Sequence, residues 1–167
     1  MILDSGTRRE FESGAVRDIQ DDKGRCDLMP LDVAAKIAGN GNETDGVLYS
    51  LSLFQETGDI QYLYSAVYLF DAFENLPSML LEVAKHFEEG AKKYNERNWQ
   101  KGIPVHCYID SAVRHYLKHS RGDTDERHDR ASVWNIMCAI WTCIHIRELN
   151  DYPFEMGGSD DGVSASQ

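Results

Sequence analysis

The sequence predicts an all-α protein, a helical bundle of four or more helices. Three observations carry that expectation. Apolar residues recur at helical spacing in one segment after another, Gly and Pro punctuate the segments at helix-length intervals, and no stretch alternates apolar and polar residues as a half-buried strand would. With 167 residues and 42% hydrophobic content, the chain has the size and apolar material of one ordinary domain.

Residues 1–27 are rich in Asp, Gly, Arg and Lys, carry turn signals at Ser13-Gly14 and Lys23-Gly24, and read as an N-terminal arm. Leu28 to Ala38 follows as a short amphipathic helix, with Pro30 suited to a first turn and Leu31, Ala34, Ala35 and Ala38 at helical spacing. Gly39-Asn40-Gly41-Asn42 ends it. Val47 to Gln55 and Asp59 to Phe73 are two further helical patterns, separated by Thr57-Gly58. The second carries Tyr62, Tyr64, Tyr68, Phe70 and Phe73, a stripe expected in a core or subunit interface rather than as a platform for stacking bases. Pro77 fits the first turn of a helix over Ser78 to Tyr94, whose apolar stripe is Leu80, Val83, Ala84, Phe87 and Ala91. A loop with Asn95, Asn98, Gly102 and Pro104 leads to a helix over Tyr108 to His119, and Gly122 separates this from a final helix over about 124–149. From Pro153 the Gly- and Ser-rich tail is expected to be disordered. The expected plan is an arm over 1–27, an all-α domain over 28–150 with a helical insert at 39–75, and a flexible tail over 151–167.

A net charge of −11 and a pI near 4.9 repel phosphate backbones, so stable nucleic-acid binding is not expected. A small anion would need local cations or a bound metal. Cys26, Cys107, Cys138 and Cys143 form no CxxC pair and read as reduced, partly buried small hydrophobes. The N-terminus lacks the apolar centre of a secretion signal and no run is long enough to span a membrane, so a cytoplasmic protein is expected.

The segment Asp125-Glu126-Arg127-His128-Asp129-Arg130 opens an otherwise apolar run through Val133, Trp134, Ile136 and Met137. On a helix, Glu126 and Asp129 would stand on one face at a spacing that lets two carboxylates share a divalent cation. Acidic residues in a first helical turn also serve simply to offset the macrodipole. Two further segments carry polar groups that a plain bundle does not need: Glu82, His86, Glu88 and Glu89 on one, Asp110, Arg114 and His115 on the other. Carboxylates converging from facing helices repel unless a cation intervenes, and oxygen ligands favour Mg²⁺ or Mn²⁺. The alternative is that they face water. Asn135, amid apolar neighbours and on the same side of its helix as His128, needs hydrogen-bond partners if buried.

Between two helices, Lys93 and Arg97 are placed to meet phosphate oxygens while Tyr94 or Trp99 stacks on a base, with Asn98 between them. A structural corner with Trp99 plugging the bundle end is the competing reading. Lys23 and Arg25 likewise belong either to a phosphate-contacting arm or to a solvated turn, and no P-loop pattern is present.

In order along the chain, Gly14-Ala15-Val16-Arg17, Lys23-Gly24-Arg25-Cys26-Asp27-Leu28-Met29-Pro30, Gly90-Ala91-Lys92-Lys93-Tyr94 with Asn98-Trp99, Asp110 to His115, and Asp125 to Ala131 with Trp134-Asn135 resemble the phage dATP/dGTP diphosphohydrolase family. The blocks span most of residues 12–150. The chain also looks like a distant cousin of the all-α nucleoside triphosphate pyrophosphohydrolases of MazG type, with Glu126-Arg127-His128-Asp129 matching their Glu-x-x-Asp element; Glu82, Glu88 and Glu89 depart from a clean Glu-Glu-x-x-Glu.

The resemblance implies hydrolysis of dGTP, and similarly dATP, to the monophosphate and pyrophosphate. In phages with 2-aminoadenine DNA this supplies dGMP to the modified purine pathway. It implies Mg²⁺ or Mn²⁺ held by Glu126 and Asp129 with Glu88 and Glu82 or Glu89, and His128 beside them. Lys23, Arg25, Lys93, Arg97, Arg114 and His115 would meet the phosphates, and Tyr94, Asn98, Trp99 and Asn135 the rest of the nucleotide. A homodimer or homotetramer in the host cytoplasm is the expected setting. Two rival readings stay open: an HD-type phosphohydrolase using His128-Asp129 with His86, His106 or His115 and Asp151, and a non-enzymatic acidic module with the Tyr62 to Phe73 surface as its interface.

Overall fold

The computed structural model describes residues 6–19, 23–70 and 76–152. Within them the chain forms α1 (Leu31–Ala38), α2 (Gly46–Thr57), α3 (Gln61–Leu69), α4 (Leu76–Tyr94), α5 (Val105–Arg121) and α6 (His128–His145), an all-α bundle of MazG-like class. Short 3₁₀ turns lie at Cys26–Leu28, Asn98–Lys101 and Arg147–Leu149. Local chemistry sets the helix ends. Asp45 caps α2 by accepting from the Leu48 N–H at 2.9 Å, which satisfies one of the orphan donors of the first turn. Gly122 ends α5 with φ 87°, a left-handed conformation that a Cβ would strain.

α5 and α6 pack along one another at the centre. Twelve of the eighteen residues of α6 are buried, so it is enclosed on nearly every side rather than amphipathic. Tyr108, Ile109, Ala112 and Val113 of α5 meet Val133, Ile136, Ala139 and Ile140 of α6 in a core shared with Leu48, Leu51 and Phe54 of α2, Leu63 and Ala66 of α3, and Leu31 and Ala35 of α1. α4 packs on α6 and buries only Val83 and His86 on its own account, leaving one of its sides free to line a cavity.

Three expectations are corrected. A two-stranded antiparallel hairpin, β1 (Arg8–Glu10) with β2 (Val16–Asp18), occupies the arm; strands of three residues are too short to show alternation. α5 begins at Val105 rather than Tyr108. α6 begins at His128 rather than near 124, because Arg127 has non-helical backbone angles (φ −82°, ψ 81°); Glu126 therefore lies outside the helix and does not share a helical face with Asp129. The Tyr-rich helix divides its aromatics, with Phe70 buried at its end and Tyr64 and Tyr68 exposed, while Phe73 and the tail from Pro153 lie outside the described residues. The four cysteines are unpaired and buried or half-buried. Among the described residues no helix is long and apolar enough to cross a membrane.

Candidate active site

A cavity of about 660 Å³ opens between the hairpin arm, α4, α5 and the segment leading into α6. Its walls carry a cationic set from two directions, Arg17 and Lys23 from the arm and Arg114, Lys118 and Arg121 from α5. Arg114, Lys118 and Arg121 are paired with Asp110, Asp125 and Asp123, and Asp18 and Glu126 line the same cavity, so among the described residues Arg17 and Lys23 are the basic groups of the wall without a carboxylate partner. A second, more apolar cavity of about 400 Å³ adjoins it, lined by Phe87, Trp99 and Ile103, and the two share Arg17, Gly90, Tyr94 and Trp134. Gly90 stands in the wall of both cavities, and a Cβ built on it would meet nothing within 4 Å, so there is open space beside it.

At the inner end of the larger cavity, Glu126 meets two imidazoles. Its Oε1 lies 3.2 Å from His115 Nδ1 and 3.3 Å from His128 Nδ1, and the two Nδ1 atoms are 3.0 Å apart. His128 has a fully buried side chain, and its Nε2 donates to Asp125 Oδ1 at 2.7 Å. Burial, then the neighbouring His128 and Arg114, push the His115 pKa down to about 3, so His115 is neutral at pH 7 and carries a lone pair. The donor set of two nitrogens and one carboxylate oxygen fits a divalent cation.

Three buried polar atoms around the cavity lack a hydrogen-bond partner: Arg17 Nη1, His86 Nδ1 and Trp134 Nε1. Such groups are costly to bury unpaired; all three belong to residues of the cavity wall, with the atoms themselves buried beneath its surface. Burial, with Arg130 adding to it, lowers the His86 pKa to about 4, so this imidazole too is neutral.

Several residues expected to bind substrate also hold the arm in place. Asn98 pairs with the Val16 backbone through both of its amide atoms. Lys93 and Tyr94 both bond to Asp18, each at 2.7 Å. Arg114 pairs with buried Asp110 and donates to the carbonyls of Lys23 and Gly24, while Arg25 pairs with buried Asp27. Asn135 accepts from Arg17 at 2.5 Å and donates to the Ala131 carbonyl at 2.8 Å, which satisfies a buried amide and fixes Arg17 in the cavity wall. Trp99 packs edge-on against Trp141 and beside Phe87, combining the structural corner with a cavity wall. Arg97 is exposed.

The predicted carboxylate cluster separates into ion pairs. Glu82 bonds to Lys85 and lies 3.3 Å from Arg127, Glu89 bonds to Arg130 at 2.7 Å, Asp129 to Arg127 at 2.6 Å, and exposed Glu88 to Lys92 at 2.5 Å. Burial raises the Asp129 carboxyl, yet the Arg127 guanidinium and the Arg130 backbone N–H leave it below the usual range. Among the described residues no three of Glu82, Glu88, Glu89, Glu126 and Asp129 bring ligand atoms within 4.8 Å of one another. The two arginines that open α6 neutralise the acids of α4. Of the HD-type set, His115 does approach His128, whereas Asp129 faces Arg127 and Asp151 pairs with His106.

Arg17, Trp134 and Asp125 stand at the site although no site role was expected of them, and His86, expected there only in the HD-type reading, lines the larger cavity. Arg17 and Trp134 stood in the blocks that carry the family resemblance, and His86 stood out as a polar residue on α4. A family model described as dATP/dGTP diphosphohydrolase, N-terminal, matches residues 60–152. No curated protein and no solved structure matches the chain.

Proposed function

Because the chain belongs to the dATP/dGTP diphosphohydrolase family, a family of nucleoside triphosphate pyrophosphohydrolases, we propose that the adjoining cavities hold a purine deoxynucleoside triphosphate and that Glu126 stands at the hydrolytic centre. The observation that supports this is the adjacency of the two cavities, which share Arg17, Gly90, Tyr94 and Trp134 in their walls: one carries basic side chains and Glu126, the other is more apolar and aromatic. Their combined size is in the range of small-molecule sites.

In this arrangement the purine lies against the rings of Tyr94, Trp99 and Trp134. The triphosphate runs past Gly90 into the larger cavity. Arg17 and Lys23 from the arm, with Arg114 and Arg121 beside their Asp110 and Asp123 partners, supply charge that offsets the negative charge building on the departing pyrophosphate. His115 Nδ1, 3.2 Å from Glu126 Oε1, helps to fix the place of that carboxylate at the inner end of the cavity. A divalent cation, Mg²⁺ or Mn²⁺, held at Glu126 supplies charge screening and a lowered water pKa when bound. Glu82, Glu89 and Asp129 serve as partners of Arg127 and Arg130, and Glu88 faces solvent.

The setting follows the same reading: a cytoplasmic enzyme, phage-encoded, that supplies dGMP where 2-aminoadenine DNA is made. A homodimer or homotetramer is supported by apolar side chains left exposed on one side of α4, Leu80 and Leu81, and on α3, Tyr68 and Leu69. The decisive experiment is chromatography with phosphorus NMR on purified protein incubated with each deoxynucleoside triphosphate, with and without the cation. Metal-dependent dGMP or dAMP plus pyrophosphate is expected. Release of inorganic triphosphate would replace it with the HD-type reading, which the close approach of His115 and His128 favours.

A further inference from the structure

We infer that His115 Nδ1, His128 Nδ1 and Glu126 Oε1 form a binding site for a first-row transition-metal dication, with Asp125 orienting His128 from behind. The inference deepens the proposed function and rests on that reading only for what the ion does, since the geometry of the site is independent of any substrate.

The triangle of donor atoms has edges of 3.0, 3.2 and 3.3 Å. Two ligand atoms sharing an ion at bond lengths of about 2.1 Å stand roughly 3.0–3.4 Å apart, the span from octahedral to tetrahedral angles. The triangle is therefore the size of one face of a coordination shell. Its open side faces the larger cavity, because His115 and Glu126 both line that cavity while His128 is fully buried behind them. Three protein ligands and an open side are the composition of a site that takes water or a phosphate oxygen as its further ligands.

Asp125 strengthens the case. A ligating imidazole ordinarily donates its other ring N–H to a carboxylate, which fixes the tautomer and aims the free lone pair. His128 does this through Nε2 to Asp125 at 2.7 Å, so in neutral His128 the lone pair sits on Nδ1, the atom that faces His115 and Glu126. Asp123 and Asp125 also come near His128 as a second group of possible ligands. That group is the weaker candidate, because Asp123 pairs with Arg121 and Asp125 is exposed.

The donor chemistry selects the ion. Imidazole nitrogen suits Co²⁺, Ni²⁺ and Zn²⁺, whereas Mg²⁺ takes carboxylate and water oxygens and keeps much of its hydration shell. Mn²⁺, a transition-metal dication that also favours oxygen, binds this mixed set more weakly than those three but better than Mg²⁺ does. Of the carboxylates expected to hold the ion, Glu82, Glu88, Glu89, Glu126 and Asp129, this site keeps Glu126 and adds two histidines.

The test is metal binding to the full-length protein without nucleotide. Co²⁺ and Mn²⁺ are titrated by calorimetry, with the Co²⁺ visible spectrum and the Mn²⁺ paramagnetic resonance signal as reporters of nitrogen ligation, and Mg²⁺ as competitor. The expected result is one Co²⁺ or Mn²⁺ per chain that millimolar Mg²⁺ displaces poorly. H115Q should lose it, and D125N should weaken it by about 10–100-fold. H128Q removes a fully buried ring and is read only if its circular dichroism is native; H115Q and D125N, at partly exposed positions, keep the test decisive otherwise. Equal affinity for Mg²⁺ and Co²⁺, or binding unchanged in H115Q, would overturn the site. An effect of D123N equal to that of H115Q would move the ion to the Asp123–Asp125–His128 group and overturn it too. Metal binding with no nucleotide turnover would leave the site standing and refute the hydrolase reading; turnover with Mg²⁺ alone and no transition-metal binding would do the reverse.

Discussion

The side-chain amide of Asn98 donates to the Val16 carbonyl at 2.7 Å and accepts from the Val16 N–H at 2.9 Å, completing the outer edge of β2 as a neighbouring strand would. The hairpin thus has a backbone partner on one side and a single side chain on the other. Asn98 is also buried, so losing it leaves two main-chain groups without partners.

Replacing Asn98 by Ala therefore costs about 2 kcal/mol of stability. In a protein of this size that is a fall in Tm of roughly 4–8 °C, measurable by calorimetry. Because β2 carries Arg17, KM for the nucleotide rises in the same variant. A variant with raised KM and unchanged Tm would show that Asn98 touches substrate rather than the strand.

Gly90 gives the opposite signature. G90A removes the entropic penalty of a helical glycine and raises stability by about 1 kcal/mol. G90L projects into the open space beside residue 90, in the wall of both cavities, and raises KM by about tenfold or more with no loss of Tm. Steady-state kinetics and thermal melts on the two variants together check this.

Glu126 and Asp129 separate functionally although they are three residues apart. E126Q lowers kcat by roughly 10²-fold or more, since it removes the carboxylate that faces both imidazoles. D129N breaks only a partly exposed pair with Arg127 and leaves kcat within about fivefold. Equal losses in the two variants would restore a shared carboxylate pair.

Away from the site, His106 is bonded to Asp151, and that bond, with a further one to Cys107, raises its pKa to about 10. A raised folded pKa means stabilisation fully present below the ordinary histidine value of about 6.5 and lost as pH climbs through about 10. Asp151 is held below the usual carboxylate range, burial opposing and His106 prevailing, so its share is present above about 3.9 and lost in acid. The pair stabilises most between those limits. NMR titration should find the His106 midpoint near 10, and D151N should return it toward about 6.5.

The helices were legible because each carries a stripe or a punctuation mark that the backbone must respect. Pro104 ahead of α5 and Gly122 behind it, and Asp45 at the start of α2, are written in the chain and act locally. The hairpin was not legible, since Arg8–Glu10 and Val16–Asp18 are held by Asn98, Lys93 and Tyr94 from far along the sequence. At the site, Glu126 could be read from its company of charged residues, but the fate of Glu82, Glu89 and Asp129 could not. Whether an acid meets a metal or an arginine is decided by which faces of α4 and α6 meet, and Arg127 and Arg130 turned out to lie opposite. The role of His128 was half visible: its neighbour Asp129 drew attention, while the carboxylate that orients it is Asp125, one helical turn earlier and outside the helix.

A wall that both cavities share is a strand of three residues, and two kinds of contact set its place. Ala15, fully buried in the core, and Phe11 packed against it seat the turn of the hairpin on the bundle, while Asn98, Lys93 and Tyr94 grip Val16 and Asp18 from the side. Arg17 stands between the gripped residues, so its position in the two cavities is dictated by side chains from the far end of α4 and the turn after it. A change at Asn98, Lys93 or Tyr94 is therefore read at Arg17, at a distance from the residue that was altered.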